Sequence, residues 1–179
     1  MKKYGFGVDI GGTTCKIGLF ETSGKMLDKW EIPTNKADNG GHILDDVAAS
    51  IDEKMKSASI AKEDVEGIGV GVPGPVLEDG SVSVCVNLGW GQVQVADELS
   101  SKTGLPVKVG NDANVAALGE MWLGAGKGEK NIVMAGRWKR LHRSRYGYAW
   151  NRCWRRNHSQ WQNYSGSKRS GRRNWTYYR

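Results

Sequence analysis

Every Val and Ile of this chain lies before residue 135, and the 45 residues that follow contain a single Leu, Leu141. That one asymmetry constrains the fold more than any motif does. A segment with so few aliphatic side chains cannot bury enough apolar surface to offset its ordering entropy. The core must therefore be built from residues 1–134, and residues 135–179 are expected to be disordered despite their five Trp. Charge divides at the same place. Residues 1–134 hold all 19 acidic residues and 13 Lys but no Arg, whereas residues 135–179 hold 11 Arg and 2 Lys with no acid. The overall charge of +7 thus describes no single folded unit.

Two function classes lose support early. Cys15, Cys85 and Cys153 show no CxxC spacing, so neither a zinc site nor a disulfide framework is indicated. The start MKKYGFGVDIGG lacks an apolar core of signal-peptide length, and no stretch approaches a membrane span. The expectation is a soluble, cytoplasmic protein with no membrane partner.

Hydrophobic periodicity sets the element order. YGFGVDIGG and TCKIGLFET are apolar runs separated by a Gly-Gly-Thr turn, a hairpin signal, and KMLDKWEIP adds a third strand closed by Pro33. Between Gly41 and Ala58, Ile43, Val47, Ile51 and Met55 recur every four residues, the mark of an amphipathic helix. VEGIGVGV reads as a buried strand, and QVADELSSKTG as a helix stopped by Gly104. LPVKVG is a strand, NDANVAALGEMWLG a helix, and KNIVM starts one more strand. A meander followed by βα alternation predicts an α/β domain, a mixed sheet with flanking helices, over residues 1–134.

Three places carry candidate chemistry. In DIGGTT, Gly11 and Gly12 are free to take positive φ and uncover backbone N–H groups, while Thr13 and Thr14 add hydroxyls; such a concave donor set suits phosphate. Asp9 beside it would repel phosphate unless Mg²⁺ sits between them. An ordinary hairpin turn accounts for the same residues. In VGNDANVAALGE, Asn111 and Asp112 lie where a strand ends and a helix begins. Either residue fits an N-cap. An Asp there also faces the cleft at a strand's carboxyl end, where it can take a proton from a substrate hydroxyl while Asn111 holds another. In CVNLGW, Asn87 interrupts an apolar, strand-like segment and needs a partner if buried, either a sugar hydroxyl or a backbone group.

Two glycine strings are decoys. GVGVPG (Gly69, Gly71, Gly74) fits GxGxxG, but Pro73 interrupts it and no helix follows. GAGKG lacks the first Walker glycine, since Met121 stands there, and Lys127 is followed by Gly128 rather than Ser or Thr.

DIGGTTCKIGLF, GVGVPGPV, VNLGW and VGNDANVAALGEMWLGAGKG come in the order and spacing of the ROK family of repressors and sugar kinases. Residues 4–134 resemble its amino-terminal domain, and most of all that of its bacterial glucokinases. The resemblance implies the actin-like ATPase (ribonuclease H-like) fold. It implies ATP and Mg²⁺ as cofactors, with Asp9, Gly11, Gly12, Thr13 and Thr14 matching the first phosphate motif and Asp9 placed toward the metal. Asp112 matches the catalytic base, Asn87 and Asn111 match sugar-binding positions, and Gly74 matches a glycine lining the sugar cleft. The implied reaction is phosphorylation of a hexose, glucose first. Family repressors carry a DNA-binding domain before the first strand, and this chain starts at the strand, which favours the kinase branch and no specific nucleic-acid partner. The intact family member would be compatible with a homodimer and would hold zinc, whose ligands do not occur in frame here.

The tail has an explanation in the genetic code. Trp is encoded only by TGG, so reading from its second base forces Gly, and shifted Arg codons begin with G. One permitted codon choice for AWNRCWRRNHSQWQ, read one base later, gives LGTGVGGGIIVNG, the pattern of the family's second phosphate motif. NYSGSKRSGRRNWTYY likewise permits a GGEIGH stretch, whose His is a zinc ligand in family members. The glycines behind Trp150, Trp154, Trp161 and Trp175 are forced, and all fall on family glycines. From about Gly147 onward the chain thus reads as a frameshifted kinase, too short to be active alone. Residues 135–146 do not decode. The rival reading is a nonspecific nucleic-acid arm, with Arg for phosphates and interleaved Trp and Tyr for stacking.

Overall fold

The computed structural model describes residues 2–124, 126–127, 133–136 and 175–178. They fall into two units, 1–115 and 116–179.

The first unit begins with the expected meander. β1 (Tyr4–Ile10), β2 (Thr14–Glu21) and β3 (Met26–Pro33) pair antiparallel in sequence. A single turn, α1 (Ala37–Gly40), leads to α2 (Ile43–Ser57). β4 (Val65–Val72), α3 (Val95–Thr103), β5 (Val107–Asn111) and the start of α4 (Asp112–Trp122) follow. The sheet order is β3-β2-β1-β4-β5, with β1, β4 and β5 mutually parallel, so the sheet is mixed. The predicted element order holds, and the helix expected over 41–58 forms at Ile43–Ser57. α3 stops at Gly104 as expected, where Gly104 takes φ +71° and donates its N–H to Ser100 O, a left-handed cap.

One sheet face is apolar, and the other carries several glycines along its central strands. In β1, Phe6, Val8 and Ile10 are buried and alternate with Gly5, Gly7 and Asp9. Cys15, Ile17 and Leu19 of β2 and Ile68, Val70 and Val72 of β4 continue the apolar face. Leu44, Val47, Ile51 and Met55 of α2 join this core with Val95 and Leu99 of α3. Ile51 and Val47 are fully buried, worth about 1.5–3 kcal/mol each. On the other face Phe20 lies over two glycines, where a Cβ would come 3.2 Å (Gly7) and 2.7 Å (Gly18) from its ring. At the sheet edge Trp30 donates its indole N–H to Ser50 Oγ at 2.8 Å, and Lys54 lies over the ring while pairing with Asp28.

Register determines what meets at the carboxyl end of the parallel strands. Asp9 pairs with Gly71, Gly71 with Gly110, and Val72 with Asn111. The last residues of β1, β4 and β5 therefore form one row, with the turn after β1 and the start of α4 at its two ends.

Residues 73–94 form no long element. They fold through isolated bridges, Val76 with Val82, Val82 with Val93 and Cys85 with Trp90, around buried Val82, Leu88 and Trp90. Asn87, expected in a strand-like segment, sits instead on a 3-10 turn, Val86–Leu88, and is exposed. Gly89 at φ +79° reverses the chain there, and the paired backbones of Cys85 and Trp90 close the loop.

In the second unit, after the end of α4, β6 (Val133–Gly136) pairs antiparallel with β7 (Trp175–Tyr178). The strand expected to start in KNIVM is this β6. The expectation of disorder over 135–179 concerns residues that, apart from 135–136 and 175–178, lie outside those described. Among the described residues no helix is long and apolar enough to cross a membrane.

Candidate active site

The turn after β1 is held on several sides. Gly11 N–H donates to Thr14 O at 3.1 Å, and Gly11 O accepts from Thr34 Oγ1 at 2.6 Å. Thr34 N–H donates to Thr13 O at 3.0 Å. Neither Gly11 nor Gly12 takes positive φ, contrary to expectation. At Gly11 the glycine requirement is steric, since a Cβ would lie 2.8 Å from Thr14 O, whereas a Cβ on Gly12 would make an ordinary contact, 3.4 Å from Asn87 O. Gly11 N–H is spent inside the turn, so the donors left for a phosphate are the amides of Gly12 and Thr13 and the hydroxyls of Thr13 and Thr14. Asp9 is exposed on the strand just before.

Gly12 and Asn87 are thereby neighbours. The turn bearing Asn87 is pinned from its far side too. A Cβ on Gly89 would lie 3.3 Å from Asn39 Cα, and Gly40 packs on Leu88 O. Trp90 Nε1–H donates to Gly40 O at 2.9 Å, a buried bond. The chain at Asp38 (φ 51°), Asn39 (φ 55°) and Gly40 (φ 74°) runs left-handed through three residues. No motif or periodicity marks this segment in the sequence. Its signal was the string Asp38-Asn39-Gly40-Gly41, residue types that tolerate left-handed backbone.

Asn111, on the last position of β5, ties the third side. Its Nδ2 donates to Gly74 O at 3.1 Å. Its Oδ1 accepts from the amides of Ala113 (3.1 Å) and Asn114 (3.4 Å), the second and third residues of α4. Asn111 is therefore the N-cap. Asp112, which shared that candidacy, is the first helical residue, exposed, with Oδ1 accepting from Ala113 N at 2.8 Å. Gly74 fits because a Cβ would meet Val84 O at 3.1 Å and Cys85 Cβ at 3.5 Å. Behind it, Cys85 Sγ–H donates to Pro73 O at 2.9 Å. Burial pushes the Cys85 thiol up, and the Asp112 carboxylate adds to this.

Gly71 links the two acidic residues. A Cβ there would lie 3.6 Å from Asp112 Cα and 3.9 Å from Asp9 Oδ1. One exposed edge thus carries Asp9, the turn of Gly11 to Thr14, Gly74, Asn87, Asn111 and Asp112, all the sequence-predicted site residues. Among the described residues no three metal-ligating side chains gather. Asp9 offers one carboxylate, which fits Mg²⁺ held by one or two carboxylates together with substrate phosphates. The zinc expectation concerns sequence outside the described residues.

Residues 5–136 match the ROK family model. The chain is 47% identical over 129 residues to a glucokinase of Halalkalibacterium halodurans, covering 72% of this chain and 39% of that protein. It is 31% identical over 119 residues to a xylose repressor of Caldicellulosiruptor bescii, covering 66% of this chain and 30% of that one. Among solved structures, a ROK family glucokinase from Streptomyces griseus in complex with glucose and AMPPNP superposes with a TM-score of 0.63 at 33% identity, over 73% of this chain and 40% of that one. The chain thus spans well under half the length of these proteins.

Proposed function

The chain belongs to the ROK family, with the actin-like ATPase fold, and on that premise we propose that residues 1–134 are the amino-terminal half of an ATP-dependent hexose kinase, glucose being the first candidate substrate. One observation carries the reading. The phosphate-suited turn and the hydroxyl-binding residues stand on one strand edge with an exposed carboxylate, Asp112, between β5 and α4. The kinase branch is favoured over the repressor branch by the higher identity to a glucokinase and by that exposed carboxylate.

The roles follow from position. The amides of Gly12 and Thr13 and the hydroxyls of Thr13 and Thr14 bind phosphate oxygens. Asp9 is the residue that would hold Mg²⁺, which when bound neutralises charge on the phosphates. Asn87 and Asn111 orient the sugar. Gly74, lacking a Cβ, lets the sugar approach the backbone. Asp112 takes the proton of the attacking hydroxyl, and it sits at the positive end of the α4 dipole. Phosphoryl transfer depends mainly on positioning, and the half of the cleft after residue 134 supplies the rest of it.

On this reading the coding DNA carries that half one base out of frame, which the out-of-frame second phosphate motif supports. The test is a sugar panel assayed for ATP consumption with the frame restored at about Gly147. Turnover with a hexose supports the reading, and turnover with none of them refutes it. A second reading rests on the 11 Arg of residues 135–179. It predicts nucleic-acid binding that weakens steeply with salt, whatever the sequence of the nucleic acid.

A further inference from the structure

We infer that Thr34 is a positioning residue that aims the phosphate-binding Gly12 amide in the turn after β1. The inference rests on reading Asp9 to Thr14 as the nucleotide site. Pro33 ends β3 opposite Thr14, which brings Thr34 beside the turn although 20 residues separate it from Thr14 in sequence. Thr34 then makes two bonds to it. Its hydroxyl donates to Gly11 O at 2.6 Å, and its amide donates to Thr13 O at 3.0 Å. These carbonyls flank Gly12. In a trans peptide the carbonyl and the N–H of one unit point in opposite directions, and the described chain has no cis bond. Holding Gly11 O against Thr34 therefore turns Gly12 N–H to the opposite side, and holding Thr13 O anchors the far end of the turn. Gly12 has no Cβ and no positive φ to fix its own orientation, so the clamp supplies it. The single hydroxyl proton is committed to Gly11 O. Cys15 Sγ–H, 3.5 Å from Thr34 Oγ1, can in turn donate to that oxygen and hold its rotamer.

The test is amide-resolved NMR titration of the 179-residue chain with millimolar Mg·ATP, and separately with glucose, in the parent and in Thr34→Val, Thr34→Ala and Thr34→Ser. Val and Ala both remove the hydroxyl but differ in bulk, so a folding defect in one leaves the other to be read. We expect Val and Ala to weaken ATP binding about fivefold or more, the scale of leaving a carbonyl unpaired. Ser should restore it to within about twofold, and glucose shifts at Asn87 should be unchanged in all three. Val and Ala variants that bind ATP like the parent overturn the clamp, as does an equal loss of both ligands, which marks a merely structural role. A parent chain in which ATP moves no amide from Gly11 to Thr14 overturns the nucleotide-site reading itself, and the clamp with it.

Discussion

Asn111 makes two separable contributions, and substitutions can divide them. Its Oδ1 caps α4 through Ala113 N and Asn114 N, and its Nδ2 holds Gly74 O. Asn111→Ser keeps a capping oxygen but is too short to reach Gly74. It should cost about 0.5–1.5 kcal/mol, the net value of one hydrogen bond. Asn111→Ala removes the cap as well, which adds about 0.5–2 kcal/mol, so the Ala variant should be destabilised by about 1–3.5 kcal/mol in all. Asn111→Asp keeps the capping oxygen but turns a carboxylate oxygen toward the Gly74 carbonyl, so it should rank with or below Ser. The assay is urea denaturation followed by far-UV circular dichroism, comparing midpoints at constant slope. The order parent, Ser, Ala is required. Ser and Ala variants both within about 0.5 kcal/mol of the parent, the range of an uncoupled surface change, would refute the coupling of α4 to the Gly74 loop.

Two further outcomes follow from the same geometry. Gly40→Ala places a methyl 2.4 Å from Leu88 O at φ +74°, so it should cost at least the 1–3 kcal/mol of a strained backbone; the urea midpoint measures it, and glucose binding should weaken with it because the Asn87 turn rests on this contact. Burial raises the Cys15 and Cys85 thiols, so both stay protonated in the folded chain when an exposed thiol would ionise. Their contribution to stability is fully present below the ordinary thiol range and is lost as pH rises through the raised folded values. Stability should therefore fall with alkaline pH, and mass spectrometry after iodoacetamide at neutral pH should find Cys15 and Cys85 unmodified; rapid labelling of either would contradict the burial.

The strands, α2 and α3 were legible because each carries its own periodicity: Phe6, Val8 and Ile10 alternate, and Val47, Ile51 and Met55 recur by four. The site row was legible in part. Asp9, Asn111 and Asp112 stand at strand ends, and βα alternation alone brings such ends to one edge. What stayed hidden depended on long-range packing. The Asn87 turn is shaped by Trp90 reaching Gly40 across 50 residues. The turn at Gly11 and Gly12 is bonded by Thr34 from outside the turn and takes no positive φ of its own. Which of Asn111 and Asp112 caps α4 is decided by a single-residue register of β5 that propensity does not resolve.

The central claim is that these residues are half of a hexose kinase whose other half lies one base out of frame. The most direct measurement compares glucose-dependent ATP consumption with Mg²⁺ by three proteins: the 179-residue chain, the frame-restored full-length protein, and its Asp112→Asn variant. The account predicts no measurable turnover by the first and clear turnover by the second. The third keeps shape and hydrogen bonding but loses the base, so its kcat should fall about 10²–10⁴-fold with sugar affinity little changed. Clear turnover by the 179-residue chain, or an Asp112→Asn enzyme within a few-fold of the restored parent, would contradict it.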